Sequence, residues 1–160
     1  MRAKSYEADV TLKARPSAVY AALATEDGIK GWWTTDCDVG SAVGDTATFR
    51  FGRTWNTVRI DRLEPNREVR WHVTGQYHHA PDHLTETSEW VGTAIVFTLT
   101  EAPDGDTLLR FRHDGLTPEL ECYDICDEGW TFFLKTSLAG LVEHGKGQPA
   151  DFERDDGTDV

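Results

Sequence analysis

The sequence has few basic residues and no long apolar run. Its 16 Lys and Arg stand against 28 Asp and Glu, which leaves a formal net charge of -12. Because such a chain has no net attraction for phosphate, we expect neither a nucleic acid nor an anionic membrane as partner. No apolar stretch approaches the roughly 18–20 residues that span a bilayer, and residues 1–15 lack the apolar core of a secretory signal. We therefore expect a cytoplasmic protein.

Cysteine is also scarce. Three cysteines in a chain without an export signal predict reduced thiols rather than a disulfide framework. A domain of 160 residues buries roughly 70% of its extended surface and needs no disulfide or metal to stay folded. The segment 151–160 holds five acidic residues and one arginine, with no hydrophobic period. We predict one domain over residues 1–147 and an acidic, disordered tail over 148–160.

The common catalytic motifs are missing as well. The sequence contains no phosphate-binding loop, no G-x-S-x-G nucleophile turn and no H-E-x-x-H zinc motif. The acidic pairs Asp127-Glu128 and Asp155-Asp156 are adjacent, so their carboxylates do not converge as a general acid and base must. No catalytic residue, cofactor or metal is assigned on this basis, and a binding protein is favoured over an enzyme.

The sequence does contain a succession of strands. An alternating segment over 5–14 predicts the first strand, and two short helices follow, one opening at Pro16 and one over 25–33. The polar segment 75–84 predicts a loop. Each later strand carries aromatic or aliphatic residues on one face and Thr or Arg on the other, which is typical of a sheet with one covered face. These strands are expected over residues 45–52, 55–63, 68–74, 89–100 and 107–113.

A long helix closes the domain. We expect it over 118–144, with Thr117 as its N-cap and Gly145 as its terminator. Its apolar stripe has helical spacing and comprises Cys122, Cys126, Trp130, Phe133, Leu134, Leu138 and Leu141. Only this helix is long enough to cover the sheet. The fold class is therefore α+β, a curved antiparallel sheet that grips a long C-terminal helix, and a cavity remains wherever the two do not pack flush.

This order of elements resembles the START-like (SRPBCC) helix-grip superfamily. Within it, the chain is similar to the domain shared with the activator of the ninety-kilodalton heat-shock chaperone's ATPase, and to a bacterial subgroup with the same C-x-x-x-C and G-W pattern. The resemblance covers nearly the whole chain. Its segments are RPSAVYAAL, IKGWW, VGDTATFRF, VRIDRLEPNREVRW, EWVGTAIVFTL, DGDTLLRFRHDGL and ECYDICDEGWTFFLKTSLAGLVEHGKGQP.

The resemblance implies a ligand cavity between sheet and helix, since the superfamily includes lipid and hormone binders, polyketide cyclases and chaperone activators. We expect a small apolar or aromatic ligand. A cyclase or hydrolase acting in the same cavity, and a chaperone-associated module of the stress response, stay open as alternatives, as does a homodimer. A shared fold does not by itself transfer chemistry.

Inward-facing aromatic residues are the strongest indication of a cavity, because large flat side chains leave gaps between them. His113 is expected at the cavity rim as an orienting group, and as the acid or base if there is a reaction. A satisfied structural histidine is the alternative. The candidate ligand-binding residues are Phe49, Phe51, Trp71, Phe97, Phe111, His113, Cys126, Trp130, Phe133 and Leu134.

The pair Cys122 and Cys126 allows three interpretations. Their spacing of four puts both thiols on one helix face, where free cysteines ordinarily act as small buried apolar side chains. With His113 they would instead supply three ligands of a zinc site, or act as redox or nucleophilic thiols. The sequence favours packing. His78, His79 and His83 share one loop and are expected to be solvated.

Gly129 stands inside the predicted helix, where glycine costs about 1 kcal/mol relative to alanine. One interpretation is a helix thinned to leave room for a ligand beside Trp130. The other is close packing of Gly129 against the G-W-W segment or an aromatic residue of the sheet. The sequence does not separate the two.

Overall fold

The computed structural model describes residues 4–151, and residues 152–160 of the tail predicted over 148–160 lie outside them. None of the described helices is long and apolar enough to cross a membrane. The elements are β1 Tyr6–Leu12, α1 Pro16–Ala24, α2 Glu26–Trp32, β2 Asp36–Val39, β3 Thr46–Phe51, β4 Thr54–Glu64, β5 Glu68–Tyr77, β6 Ala94–Glu101, β7 Thr107–Asp114, α3 Tyr123–Phe132, a π-helical turn Phe133–Leu138, and α4 Ala139–His144.

The seven strands form one antiparallel sheet in the order β1-β7-β6-β5-β4-β3-β2. The two short helices and the C-terminal helix pack on one of its faces, so the predicted helix-grip architecture is confirmed. The described residues beyond α4, up to 151, stay against the domain. Ala150 N donates to Trp33 O and Thr35 N donates to Ala150 O, which holds this segment beside the end of α2.

The predicted strand faces are also confirmed. Val69, Trp71 and Val73 alternate with more exposed residues along β5, and all three are buried. On β7 the buried face carries Leu109, Phe111 and His113, so the inward rows of neighbouring strands form one apolar surface. Opposite it, the outer face carries exposed ion pairs such as Arg59 with Asp61, which contribute little to stability.

The long helix begins later than its sequence predicts. It starts at Tyr123, and the residues from Thr117 onward form turns instead of helix. No side chain caps α3, but Glu89 anchors the turn that precedes it, because its carboxylate accepts hydrogen bonds from the backbone N–H groups of Glu121 (3.0 Å) and Cys122 (2.9 Å). A carboxylate near a helix N-terminus also interacts favourably with the helix dipole. Gly145 ends the helix with a positive φ of 81°, as predicted.

Three other boundaries differ from the predictions. β5 continues through Gly75 to Tyr77, because a glycine is tolerated where the Trp55 ring packs across the strand. β6 begins at Ala94 and not at residue 89, since Trp90 N and Gly92 N bond back to β5 in a turn. β2, over Asp36–Val39, lies between the helix predicted over 25–33 and the strand predicted over 45–52, where no strand is expected, because a four-residue edge strand leaves too short a pattern to detect.

Candidate functional site

A cavity of about 420 Å³ lies where the helix and the sheet separate. Volumes of roughly 300–1,000 Å³ are usual for sites that hold small molecules. The cavity opens between the ends of β3, β4 and β5, the end of α2 and the side of α3. Its wall comprises Trp33, Phe51, Arg53, Thr54, Asn56, Gln76, His78, His79, Trp90, Ile125, Cys126, Gly129, Trp130 and Phe133.

Stacked tryptophans make up much of this wall. The Trp33 ring stacks on Trp130 at 5.1 Å between centroids, and Trp130 stacks on Trp90 at 5.8 Å with an interplanar angle of 9°. On its other side, Trp33 stacks on the buried Trp71 at 5.9 Å. Each ring restrains its neighbour, so the cavity has a rigid aromatic side. Such a surface favours flat, apolar molecules.

Gly129 widens the cavity. A Cβ added at this position would meet no atom within 4 Å outside its own stretch of helix, among the residues that the structure describes. Close packing therefore does not explain the glycine. The space beside it is the cavity itself, next to Trp130. Of the two interpretations of Gly129, the structure favours the thinned helix.

Two buried amides belong to the polar part of the wall, together with Arg53, Thr54, His78 and His79. Asn56 on β4 and Gln76 on β5 face each other across the strand pair, and both are buried. Gln76 Oε1 accepts a hydrogen bond from Trp90 N at 2.9 Å. Asn56 is only 2% exposed, yet its Oδ1 has no hydrogen-bond partner in residues 4–151. An unmatched buried acceptor costs about 1–3 kcal/mol, so a ligand that donates here would recover that free energy.

His113 is a core residue and not a rim residue. It is 0% exposed and does not line the cavity. Its Nδ1 accepts from the indole N–H of Trp130 at 3.0 Å, and its Nε2 lies 2.8 Å from Thr93 Oγ1. Since the indole is only a donor, Nδ1 carries no proton. Nε2–H then donates to Thr93, whose hydroxyl donates to Trp90 O at 2.6 Å.

This hydrogen-bond chain defines what His113 can do. Burial lowers the pKa of His113 to about 3, so the ring is neutral at ordinary pH. Both nitrogens are engaged, one by Trp130 and one by Thr93. His113 therefore has no free lone pair to bind zinc, and it cannot exchange a proton with a molecule in the cavity. The satisfied structural role, kept as the alternative, describes it best.

The cysteines are buried as the apolar stripe predicts, but their histidine neighbour is a different one. The ligand atoms of His78, Cys122 and Cys126 all lie within 4.8 Å of one another. The Cys126 thiol also accepts from the Trp90 indole N–H at 3.3 Å. The hydrogen bond that Cys122 donates to Cys126 lowers the pKa of Cys126, and the hydrogen bond from Trp90 lowers it further. The same donated bond, together with burial, raises the pKa of Cys122.

Cys37 provides a contrast. It lies on β2, away from the other two thiols, and its thiol contacts the Thr34 carbonyl. Burial raises the pKa of Cys37 to about 11, so this thiol stays protonated and inert. The chain therefore has one isolated structural cysteine and one cysteine pair beside a cavity.

The structure divides the ten predicted binding residues into two groups. On the cavity wall are Phe51, Cys126, Trp130 and Phe133. In the packed core beneath are Phe49, Trp71, Phe97, Phe111, His113 and Leu134.

Sequence reasoning missed the wall residues Trp33, Trp90, Asn56 and Gln76, together with His78 and His79. The signal available for Asn56 was a polar residue in an inward-facing position, two places before Val58 in the alternation of β4. Gln76 lies in the segment 75–84, which the sequence predicts as a loop, whereas β5 continues to Tyr77.

Fold and cavity together define a helix-grip domain of the START-like (SRPBCC) type. A family model described as Activator of Hsp90 ATPase homolog 1-like protein matches residues 13–143. The chain belongs to this family. No curated protein matched the chain.

Solved structures agree with this assignment. The Aha1 dimer from Colwellia psychrerythraea is 33% identical, with a TM-score of 0.74 over 90% of this chain and 99% of that one. Protein MLL2253 from Mesorhizobium loti is 21% identical, with a TM-score of 0.63 over 81% and 90%. DynU16, from the dynemicin biosynthetic locus, is 19% identical, with a TM-score of 0.64 over 88% of this chain and 48% of that one. The last two show the fold alone.

Proposed function

We propose that this protein binds a small, flat, mostly apolar molecule that carries one hydrogen-bond donor. The observation that carries the proposal is that Asn56 Oδ1, on the wall of the tryptophan-lined cavity, has no hydrogen-bond partner among residues 4–151. The aromatic wall accounts for the apolar body of the ligand, and Asn56 accounts for its polar group. A phenol-like or indole-like molecule has both features.

The expected affinity follows from the buried area. Removing ~300 Å² of apolar ligand surface from water gains about 7.5 kcal/mol at 25 cal/mol per Å². The loss of ligand motion subtracts from this gain, and the donor to Asn56 returns about 1–3 kcal/mol. Binding in the micromolar range is therefore expected, which suits a carrier or sensor of a small metabolite.

A pair of probes tests the proposal directly. Naphthalene and 1-naphthol have the same flat body, and only 1-naphthol has a hydroxyl donor. We expect quenching of tryptophan fluorescence by both, because Trp33, Trp90 and Trp130 form the wall. We expect 1-naphthol to bind about 10-fold more tightly in the wild-type protein, and this preference to vanish in Asn56→Leu.

Two results would overturn the proposal. One is the absence of binding by either probe. The other is a preference for 1-naphthol that survives Asn56→Leu, which would place the donor elsewhere. Native mass spectrometry of protein purified from its expression host, compared with the denatured mass, then identifies any natural ligand that is lost on denaturation.

A second candidate is a protein contact, and the family supports it. The 33% identical relative is an Aha1 dimer, and the family description names an activator of the Hsp90 ATPase. A homodimer would appear in sedimentation velocity as a mass of twice 17.9 kDa. A chaperone contact would raise the ATPase rate of the host's Hsp90, and an unchanged rate at saturating protein would exclude that role.

A further inference from the structure

Three soft or borderline metal ligands converge at one side of the cavity. His78 comes from the end of the β5 segment, while Cys122 and Cys126 come from the start of the helix. Their ligand atoms lie within 4.8 Å of one another. In a tetrahedral zinc site such atoms are about 3.5–3.8 Å apart. Side-chain rotations that move the ligand atoms by about 1 Å would therefore bring all three to bonding distance of one ion.

The charges of this set suit a buried ion. Two thiolates balance the charge of Zn²⁺, and a neutral imidazole adds none, so the filled site would be neutral overall. A neutral site avoids the cost of placing an uncompensated charge in an apolar region. Thiolate and imidazole are also the ligands that zinc prefers in proteins.

Neighbouring groups already hold the ligands in position. The Trp90 indole N–H donates to Cys126 Sγ at 3.3 Å. Glu89 accepts from the backbone N–H of Cys122 at 2.9 Å, and His78 N donates to Thr87 O at 2.7 Å. Metal sites characteristically have such outer partners, which orient the ligating atoms before the ion binds.

Two of the three ligands, His78 and Cys126, line the cavity, so an open fourth position would lie on the cavity side. Structural zinc sites use four protein ligands, whereas three protein ligands leave one position for water or an exchangeable molecule. The geometry points to a zinc site formed by His78, Cys122 and Cys126, whose open position is directed into the ligand cavity. This inference goes beyond the proposed binding of an apolar molecule and does not depend on it.

Cobalt provides the first test. The full chain, reduced and freed of metal, is titrated with Co²⁺, which reports thiolate ligands through charge-transfer absorption in the near ultraviolet. We expect saturation at one equivalent with an intensity typical of two thiolates. Cys122→Ser and Cys126→Ser should each weaken binding by more than the 10–100-fold that the loss of an outer partner causes. His78→Ala should weaken it as well.

Two variants serve as matched controls for the ligand substitutions. Cys37→Ser removes the third buried cysteine, and His79→Ala removes the adjacent histidine of the cavity wall. Both variants should bind Co²⁺ like the wild type. Metal affinity that falls in Cys37→Ser, or that is unchanged in Cys126→Ser, would overturn the assignment. The absence of any thiolate band in the reduced wild-type protein would do the same.

A second measurement needs no variant and so is unaffected by a failure to fold. The X-ray absorption fine structure of the zinc-loaded wild-type protein should show two sulfur neighbours at about 2.3 Å and one or two nitrogen or oxygen neighbours at about 2.0–2.1 Å. A shell of nitrogen and oxygen alone would overturn the site. Probe binding by the metal-free protein separates this result from the proposed apolar ligand.

Discussion

The two ends of the sheet differ in how the helix meets them. At one end the inward rows of β4 and β5 carry Val58, Ile60 and Trp71, all buried beneath the helices. At the other end the same rows continue as Asn56 and Gln76, and the helix no longer packs flush. Two amides in place of two aliphatic side chains therefore mark the point where a core becomes a cavity.

The difference separates stability from function along single strands. Residues of the packed end are surrounded by other side chains, so their contribution is to the free energy of unfolding. Residues of the open end border the cavity on one side, so they mainly determine which molecules bind there. Substitutions at the packed end should mainly change stability, and those at the open end should mainly change ligand binding; the following predictions test this contrast.

The largest effect is expected at the packed end. Phe97 is fully buried, and its ring lies 5.0 Å from Trp71 and 5.1 Å from Phe111. Phe97→Ala should lower the free energy of unfolding by about 3–5 kcal/mol. Phe133→Ala, which truncates a half-buried ring on the cavity wall, should cost under about 1.5 kcal/mol. Urea unfolding followed by circular dichroism measures both, and equal losses would contradict the contrast.

Acid should act through the packed end too. In the folded protein the pKa of His113 is about 3, against about 6.5 unfolded. The unfolded state therefore binds the extra proton between these values. The stability that His113 contributes is complete above pH 6.5 and declines as pH falls, by up to about 1.4 kcal/mol per pH unit.

His113→Asn isolates this effect. An asparagine side chain can still accept from Trp130, but it does not titrate. The free energy of unfolding measured from pH 7 to pH 5, above the range of most carboxylates, should decline less steeply in the variant than in the wild type. Parallel slopes would mean that His113 takes up its proton without unfolding.

At the open end, replacement by leucine should change the free energy of unfolding in opposite directions at two neighbouring positions. Asn56→Leu removes an acceptor without a partner and should raise the free energy of unfolding by about 1 kcal/mol. Gln76→Leu removes the acceptor of Trp90 N and should lower it by about 1–3 kcal/mol. Thermal unfolding of the two variants is sufficient. A loss in both would mean that Asn56 has a structural partner.

The smallest effect is expected at Gly129. Gly129→Ala should stabilise the helix by up to about 1 kcal/mol while placing a methyl group in the cavity, so that stability rises and 1-naphthol affinity falls. Gly140→Ala is the control, because its Cβ would lie 2.6 Å from Lys146 O and should destabilise the protein. Chemical unfolding and fluorescence titration report the two properties. An unchanged probe affinity in Gly129→Ala would show that ligands do not reach this wall.

Much of the fold could be predicted from local patterns. Alternation along β3, β5 and β7 identified the inward residues, and helical spacing identified the buried stripe from Cys122 to Leu138. Less of the site could be predicted. Trp90 belongs to a turn within the segment that the sequence predicts as a strand. The residues just before the helix are bound by Glu89, which accepts a hydrogen bond from the N–H of Glu121, 32 residues further along the chain.

The α+β architecture, the burial of Cys122 and Cys126 and the inward aromatic rows of the sheet could be predicted from the sequence, because these depend on the periods of strand and helix. Which residues contact one another depends on the tertiary structure. In the folded protein, His113 is part of a complete hydrogen-bond chain with Trp130 and Thr93. His78, and not His113, lies beside the two thiols. The physical reason is that a period specifies a face, whereas the neighbours across that face depend on sheet order, on bulges and on where the helix begins.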